Sequence, residues 1–222
     1  LEKQKHFVAD AAHELKTPLT ALKTSLEVGL MDKHNRSAQQ LLESSLEDVN
    51  SLTSLTENLL SLARLESDDF SLSFEVVSID QVINRVINHL KPLAEQKKIK
   101  IQTNEPNDFN LLANENALVE AIMILVDNAI KYSHEKTEIK IQVKKQKNKL
   151  ILKIIDEGIG IEPKHLDKIF DRFYRVDESR TKKFRAGYGL GLALAKKIIV
   201  QHGGKIEVES KLNQGSTFTI IF

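Results

Sequence analysis

The 222-residue sequence contains no cysteine and no tryptophan, and glycine, proline and aromatic residues are scarce. Without cysteine, the chain forms no disulfide, holds no metal through thiolates and carries no thiol nucleophile. A formal net charge of +1 gives no argument for a nucleic-acid or membrane-surface partner. No apolar run approaches the roughly 20 residues of a membrane span, and no signal peptide is visible. The remaining composition, 41% apolar and 28% charged, is typical of a globular protein.

The start of the chain lacks both an initiating methionine and a helix cap. Leu1, Phe7, Val8 and Ala11 already follow a helical spacing, with no capping residue before them. We therefore expect the chain to be the downstream part of a longer protein. Any sensor or membrane segment would lie in the missing upstream part.

Residues 1–66 contain only one glycine and one proline, and this scarcity predicts two long helices. The first helix is expected to end near Met31, with a polar turn at 32–36 and Ser37 as the N-cap of the second. Apolar residues recur at spacings of three and four in both helices: Leu15, Leu19, Leu22 and Leu26, then Leu42, Leu46, Val49, Leu52, Leu55, Leu59 and Leu62. One hairpin cannot bury both stripes, so a homodimeric four-helix bundle is predicted. A coiled-coil spacer would explain the leucines equally well.

The first helix also carries a motif that a spacer does not require, FVADAAHELKTPLTAL at residues 7–22. His13 lies two residues before Leu15, so a helix directs its imidazole roughly opposite the leucine stripe, toward solvent. Pro18 has no N–H group, so the carbonyl of Glu14 loses its helical partner and a kink is expected. An exposed imidazole beside a carboxylate on a weakened turn is suited to chemistry. A surface histidine on an amphipathic helix is the alternative interpretation.

The spacing of apolar residues changes after the segment SDDF at 67–70, which is the predicted domain boundary. A helical domain at 1–66 is therefore expected to precede a second domain at 67–222. Three helices packed against mostly antiparallel strands would make this second domain an α+β two-layer sandwich. Helices are expected at 80–96, 114–131 and 190–202, and strands at 71–77, 98–103, 109–113, 138–145, 150–156, 205–210 and 216–222.

Glycines cluster in the second domain, where eight of the nine follow residue 157 and five lie between 158 and 191. The segment DEGIGI begins at Asp156, directly after a predicted strand. The carboxylate would therefore lie at the floor of a pocket and accept a hydrogen bond from an amino group of a base. The segment GYGLGL at 187–192 opens a helix whose first N–H groups suit a phosphate. One such box alone fits an ordinary loop, whereas two together favour a nucleotide site.

A third element, LVDNAIKYS at residues 125–133, lies late in an apolar helix. Glu120, Ile124 and Asn128 are four residues apart and therefore share one face of that helix. The amide oxygen of Asn128 suits Mg²⁺, which usually binds few protein groups and several phosphate oxygens. Lys131, one turn further on, would neutralise phosphate charge. For Asn128 taken alone, the preferred interpretation is a cap at the helix end.

Taken together, these segments resemble the sensor histidine kinases of two-component signalling. AAHELKTPLTAL is similar to the family's H-box, LVDNAIKYS to its N-box, DEGIGI to its first glycine box, IFDRFYRVD to its F-box and GYGLGL to its second glycine box. All five occur in the family's order and at its usual spacing, and they cover nearly the whole chain. The resemblance implies a dimerisation and phosphotransfer hairpin followed by a catalytic domain of the histidine kinase, gyrase and chaperone ATPase type. Those related ATPases have no HELKTP helix in front.

The resemblance implies an ATP-dependent protein histidine kinase with ATP and Mg as cofactors. His13 would be autophosphorylated, Glu14 would orient its imidazole or take its proton, and Thr17 would position a water that hydrolyses the phosphorylated regulator. The phosphoryl group would pass to an aspartate in the receiver domain of a response regulator, and the kinase would also dephosphorylate that regulator. Its partners would be a second copy, through residues 1–66, and the regulator, with no nucleic acid. The full-length protein would lie in the bacterial inner or plasma membrane, with this portion in the cytoplasm.

The resemblance also assigns a nucleotide site. Asn128 would hold Mg, Asp156 would select adenine, and Arg175 is the expected γ-phosphate contact. The glycines of the second box would give a lid its freedom and its phosphate contacts, while Phe170 and Phe173 would anchor the lid to the core. The full set of implied ATP-binding residues is Asn128, Lys131, Tyr132, Asp156, Gly158, Gly160, Ile161, Tyr174, Arg175, Gly187, Tyr188, Gly189, Leu190, Gly191 and Leu192.

Two departures from the family pattern bear on these expectations. Ile124 stands where the family commonly has a second asparagine, which predicts weaker metal or phosphate binding. Ala186 and Tyr188 replace the more usual glycine and small residue of the second glycine box, so lid mobility is expected to differ.

Two alternative functions stay open: a catalytically weak dimeric scaffold that binds nucleotide or regulator, and a plain ATPase of the related fold.

Overall fold

The structure is a computed structural model that describes residues 11, 14–20, 22–24, 26–27, 38–67, 72–104, 109–176 and 188–222. The turn expected at 32–36 and the cap Ser37 lie outside these residues, as does the predicted end of the first helix at Met31. Among the described residues, no helix combines the length and apolarity that crossing a membrane requires.

The N-terminal region is helical as far as it is described. Residues 14–20, 22–24 and 26–27 are helical and belong to the predicted first helix. The second helix of the predicted hairpin, labelled α1, runs from Ala38 to Glu66. The first helix continues through the proline of the HELKTP motif, and Thr20 donates a side-chain hydrogen bond to the carbonyl of Lys16 at 2.8 Å. Helix α1 contains 29 residues, which corresponds to about 44 Å.

The apolar stripe of α1 divides into two parts. In the N-terminal part, Leu42 and Leu46 are 65% and 61% exposed. In the C-terminal part, Leu55 and Leu62 are 0% and 1% exposed, because this half of the helix packs against the second domain. The first half therefore presents an uncovered apolar face in the single chain.

The second domain alternates short strands and helices. Its elements are β1 (Glu75–Ser78), α2 (Ile79–Gln96), β2 (Lys100–Thr103), β3 (Asn110–Ala113), α3 (Glu115–Tyr132), β4 (Glu138–Gln146), β5 (Lys149–Ile155), α4 (Pro163–Leu166), α5 (Gly191–Gln201), β6 (Lys205–Lys211) and β7 (Gly215–Ile221). The three long helices confirm the sequence prediction to within one or two residues. The four-residue α4 was not predicted, because one turn is too short to show a helical period.

The strands form two sheets. A five-stranded sheet has the order β2-β4-β5-β7-β6, in which only the β2–β4 pair is parallel, and β1 pairs with β3 in a separate antiparallel ribbon. Alternate residues of the central strands point into the core, where Ile141 lies opposite Ile154 and Ile154 opposite Phe218. Helices α2, α3 and α5 bury their apolar faces in the same core. The predicted α+β two-layer sandwich is confirmed.

Helix α3 lies at the centre of this arrangement. It contacts α2, α5 and β5, which explains why half of its residues are buried and why its sequence is apolar on most sides. Asn114 caps its start by accepting a hydrogen bond from the N–H of Ala117 at 3.0 Å. The helix ends at Tyr132, and Ser133 is its C-cap.

The outer strands of the large sheet are β2 and β6. Along β6 the side chains alternate, with Ile206 buried and Lys205, Glu207 and Glu209 exposed. Lys205 and Glu207 form an ion pair, with Nζ 2.6 Å from Oε1. In the part of the chain that the structure describes, no strand pairs with the outer edge of β6, and the exposed side chains along this strand carry charges of both signs.

Among the described residues, polar contacts join α1 to the second domain, alongside the buried leucines of its C-terminal half. They are Ser51 Oγ to Tyr188 Oη at 3.1 Å, Ser61 Oγ to Glu120 Oε1 at 3.4 Å, Gln201 Nε2 to the Leu65 carbonyl at 2.8 Å, and the Glu66–Arg172 ion pair. Helix α1 ends at the last residue of the predicted helical domain, but most of the expected boundary segment 67–70 lies outside the described residues. The division into domains 1–66 and 67–222 therefore stays a prediction.

Candidate functional site

Asp156 lies directly after β5 and is only 6% exposed. Its Oδ1 atom accepts hydrogen bonds from the backbone N–H of Gly158 at 2.9 Å and of Ser216 at 3.2 Å. Burial raises the pKa of the Asp156 carboxyl, and the two hydrogen bonds oppose that shift because they favour the charged form. Within the described part of the chain, no hydrogen bond to Oδ2 is found, so that oxygen can accept from a ligand.

The first glycine box is attached to the end of α3. The N–H of Ile159 donates to the carbonyl of Tyr132 at 3.1 Å, and Ser133 forms an isolated antiparallel bridge with Gly158. A Cβ atom at Gly158 would lie 2.4 Å from the Tyr132 carbonyl oxygen, so only glycine allows this close approach. The strand end that carries Asp156 is thereby held against α3.

The second glycine box meets α3 at Ile124, about two turns before the end of the helix. Gly191 begins α5, and a Cβ atom there would lie 3.2 Å from Cγ2 of Ile124. Gly189 has φ +70°, and a Cβ atom there would lie 2.7 Å from the carbonyl carbon of Phe173. This box therefore lies between α3 and the segment that precedes the predicted lid. Gly187, its first glycine, lies outside the described residues.

Asn128 lies between the two boxes along α3. It is one turn after Ile124, which faces the second box, and one turn before Tyr132, which is bonded to the first. The preferred interpretation of Asn128 as a helix cap is wrong, because the cap is Ser133. The helix continues four residues past Asn128, and the two residues that follow it directly, Ala129 and Ile130, are buried in the core at 2% and 0% exposure.

Lys131 and Tyr132 follow on the last turn of α3. Lys131 Nζ lies 2.5 Å from Oδ2 of Asp127, one turn earlier on the same helix. Tyr132 is 48% exposed. Lys131 would therefore exchange an aspartate partner for phosphate oxygens if it binds a nucleotide, and both side chains lie at the end of α3 that carries Asn128.

The segment before the predicted lid is fixed to the core by aromatic contacts. Phe170 packs edge-on against Phe218, with ring centroids 6.4 Å apart, and Phe173 adopts a left-handed conformation with φ 59°. Tyr174 Oη lies 2.6 Å from Nδ1 of His165 on α4. Arg175 follows and is half-buried. The contacts of Phe170 and Phe173 fit the predicted anchoring role.

Comparisons with known proteins agree with this arrangement. Residues 3–68 match the His Kinase A phospho-acceptor domain, and residues 113–222 match the histidine kinase-, DNA gyrase B- and HSP90-like ATPases. The structure of the Acinetobacter baumannii histidine kinase AdeS matches with a TM-score of 0.78 and 30% identity, over 95% of this chain and 96% of that chain. The chain belongs to the sensor histidine kinase family. The match to the phospho-acceptor domain confirms the predicted helical hairpin.

Other relatives of this histidine kinase are longer. It is 37% identical over 223 residues to the signal transduction histidine-protein kinase ArlS of Staphylococcus haemolyticus, a match that covers 99% of this chain and 48% of the relative. The chain thus spans about half the length of the curated relatives it matches. The structure of the histidine kinase ThkA in complex with the response regulator protein TrrA shares the fold, with a TM-score of 0.77 and 24% identity over 98% of this chain and 60% of that chain.

The phospho-acceptor part of the kinase is only partly described. Glu14 and Thr17 lie on the first helix, where Glu14 is half-buried and Thr17 is exposed. His13 lies outside the described residues, so its predicted orientation toward solvent stays a prediction. The roles of all the predicted site residues likewise stay predictions, although Asn128, Lys131, Tyr132, Asp156 and the described parts of both glycine boxes do lie along the second half of α3. Gly160, Ile161, Leu190 and Leu192 are in the described parts of these boxes.

Sequence reasoning missed two serines, one bonded to Asp156 and one at the end of α3. Ser216 at the start of β7 donates its N–H to Asp156, and its carbonyl accepts from the N–H of Asp156 at 2.9 Å. No local motif marks Ser216, because the pairing of β7 with β5 brings together residues 60 positions apart. Ser133 is 6% exposed, and its hydroxyl has no hydrogen-bond partner among the described residues. A buried serine directly after the N-box helix is not distinguishable in sequence from an ordinary cap.

Proposed function

We propose that the protein is an ATP-dependent histidine kinase that autophosphorylates His13 and passes the phosphoryl group to an aspartate of a response regulator. The single observation that carries this proposal is the position of Asn128 on α3, between the two glycine boxes. Membership of the sensor histidine kinase family supports it from outside the site. The proposed partners are a second copy of the chain, through residues 1–66, and the receiver domain of the regulator. The longer protein is proposed to sit in the bacterial inner or plasma membrane, with this portion in the cytoplasm.

The nucleotide would bind along α3. Oδ2 of Asp156 would accept a hydrogen bond from the adenine amino group, since Oδ1 is already bonded to two backbone N–H groups. The phosphates would lie toward the first N–H groups of α5, where the helix dipole favours negative charge. Lys131 would then pair with phosphate oxygens in place of Asp127.

A magnesium ion fits the donors present at this site. Asn128 supplies one neutral oxygen, and the described residues contain no cluster of three or more acidic, histidine or cysteine side chains that would hold a metal. This matches the usual mode of Mg²⁺, which takes one or two protein ligands and several phosphate and water oxygens. When bound, the ion would neutralise phosphate charge during the transfer.

The chemical step needs one nucleophile and its orienting group. A nitrogen of the His13 imidazole would attack the γ-phosphorus as the bond to the ADP oxygen breaks. Glu14 would hold the neutral imidazole in the required tautomer or take the proton from its other nitrogen. Alignment and charge neutralisation account for most of the catalysis of phosphoryl transfer. When the protein acts as a phosphatase, Thr17 would position a water that hydrolyses the phosphorylated regulator.

The decisive experiment is incubation with γ-labelled ATP. The wild-type protein should incorporate acid-labile, base-stable phosphate, and His13→Ala should lose it while keeping its affinity for a fluorescent ATP analogue. Label retained in His13→Ala would contradict the proposed acceptor. ATP hydrolysis without incorporation would favour the plain ATPase, and nucleotide binding without either would favour the scaffold.

The metal proposal is tested at Ile124. Ile124→Asn places an amide one turn before Asn128, so we expect Mg-dependent ATP affinity to rise by about three- to tenfold, the value of one hydrogen-bond-like contact. Ile124→Val is the matched control, because it keeps the Cγ2 methyl group that faces Gly191 and adds no ligand. Affinity titrated at several Mg concentrations measures the effect. An equal gain without Mg, or in the valine variant, would argue against a metal ligand at this face.

A further inference from the structure

Lys97 lies outside every recognised motif, yet its side chain contacts the helix that carries Asn128. It follows α2 as its C-cap residue, and its side chain is half-buried. Its ammonium group contacts three backbone carbonyl oxygens at the C-terminal end of α3. They belong to Ile130 at 2.9 Å, Lys131 at 2.6 Å and the C-cap residue Ser133 at 3.4 Å. Lys97 therefore caps the C-terminal end of the helix that carries Asn128.

The carbonyl groups at the end of α3 can be accounted for one by one. The last four carbonyls of a helix have no partner within it and must find other donors. The N–H of Ser133 donates to Ala129, and the N–H of Ile159 in the first glycine box donates to Tyr132. The ammonium of Lys97 serves the others. The last turn is thus held by the glycine box on one side and by Lys97 on the other.

The backbone of Lys97 adds a further attachment. Its carbonyl accepts the N–H of Lys136 at 3.1 Å, in the turn between α3 and β4. Lys136 has φ 63°, so this turn adopts a strained left-handed conformation that the hydrogen bond helps to hold. One residue therefore fixes both the end of α3 and the turn that follows it.

The chemistry of the contact favours lysine. Three carbonyl dipoles converge on one point, at the end of a helix where a positive charge is favourable. An ammonium has three rotatable donors on a flexible stem, whereas a guanidinium has planar donors in a fixed fork. Burial lowers the pKa of Lys97, and the nearby Glu135 carboxylate opposes that shift. Methionine at this position would leave buried carbonyls unpaired.

We propose that Lys97 is a positioning residue for nucleotide binding, which fixes the last turn of α3 so that Asn128, Lys131 and Tyr132 meet the first glycine box. This inference rests on the proposed function, because it assumes that this turn contacts ATP. Lys97 itself touches no reacting atom. Its loss should therefore weaken ATP binding without slowing the transfer from bound ATP.

The test compares Lys97→Met, Lys97→Gln and Lys97→Arg with Lys91→Met, an exposed lysine on the same helix. Lys97→Met should raise the Kd for a fluorescent ATP analogue and the half-saturating ATP concentration by about tenfold, since two or more hydrogen bonds are lost. The autophosphorylation rate constant at saturating ATP should change by less than about twofold. Lys97→Arg should recover part of the affinity, Lys97→Gln less, and Lys91→Met should match the wild type.

The outcomes separate this proposal from a merely structural role. A folded Lys97→Met protein with wild-type ATP affinity would overturn it, as would a fall in the saturated rate constant with no change in half-saturation. If Lys97→Met does not fold, the comparison of the glutamine and arginine variants decides, and equal affinities in both would refute the proposal. If the wild type binds the analogue but incorporates no phosphate, the proposed kinase function fails while the Kd series still tests Lys97.

Discussion

Asp156 is held by two backbone N–H groups on one carboxylate oxygen, which leaves the other oxygen for a ligand. Asp156→Asn keeps an acceptor for the backbone but loses the charge and one acceptor. We expect ATP affinity to fall by about 10- to 100-fold, the value of a hydrogen bond to a charged group. Binding of a fluorescent ATP analogue measures this. Glu157→Gln, which removes an exposed neighbouring charge, should leave the affinity unchanged.

The same residue gives a pH dependence with a defined sign. Burial raises the pKa of Asp156, so the folded protein loses this charge at a higher pH than an exposed aspartate would. As the pH falls through the raised pKa, the protonated carboxyl becomes a poorer acceptor and ATP binding by the wild type should weaken. In the Asp156→Asn variant, ATP binding should not show this weakening at low pH. Parallel acid profiles for the two proteins would show that Asp156 does not contact the nucleotide.

At the residue scale, the sequence predicted the site residues that belong to recognisable motifs. It missed the residues that reach the site only through contacts between distant parts of the chain. Asp156 and Gly158 are adjacent in a recognisable box, whereas Ser216 reaches Asp156 only because β7 lies beside β5. Lys97 was missed for the same reason, since its three acceptors lie more than 30 residues away. Asn128 was misjudged as a cap because its amide suits a helix end, while the burial that extends α3 is a tertiary effect.

At the scale of elements, Tyr188 connects the start of α5 to α1 through its hydroxyl contact with Ser51. Tyr188→Phe removes this hydrogen bond and keeps the ring. We expect the domains to separate about two- to tenfold more often, because one such bond contributes about 0.5–1.5 kcal/mol. Faster amide hydrogen exchange in α5 and in the second half of α1 would report this change.

A double-mutant cycle supplies the control for this contact. Ser51→Ala should increase exchange by a similar factor, and the double variant should add little to either single change. Fully additive effects would mean that the two hydroxyl groups act independently, contrary to the observed distance of 3.1 Å. The sequence marked Tyr188 only as a departure from the family pattern, and its partner on α1 required the structure.

The elements themselves were largely predictable. Helices α2, α3 and α5 each repeat apolar residues over 11 to 18 positions, which is enough to define a period. The strand ends were less well predicted, and β1 begins at Glu75 rather than near residue 71. The parallel pairing of β2 with β4 leaves no local signal, because the 18 residues of α3 and the β3 strand separate them.

At the scale of the whole molecule, one stripe of α1 faces two different surroundings. Leu55 and Leu62 are covered by the catalytic domain, whereas Leu42 and Leu46 are uncovered in the single chain. The proposed dimer would bury this exposed half against a second copy, because a large contiguous apolar face is costly in water.

Leu46→Glu tests this explanation. A charge in the centre of the exposed stripe should convert a dimer into a monomer at micromolar concentration, since burying an unpaired charge costs several kcal/mol. Glu47→Ala is the control, because that exposed residue lies about 100° around the helix from the stripe. Sedimentation velocity measures both. An unchanged sedimentation coefficient in Leu46→Glu would place the interface elsewhere.

The charged side chains along β6 bear on how copies of this kinase behave at high concentration. An open strand edge can recruit the edge of a neighbouring protein, but adding a strand beside Lys205, Glu207 and Glu209 would bring their charged side chains into close register with those of the newcomer. Such edge-to-edge joining, the first step toward insoluble fibres, is therefore disfavoured on this side of the sheet. The helical hairpin, through which we propose that the kinase dimerises, would then be the surface that remains for self-association.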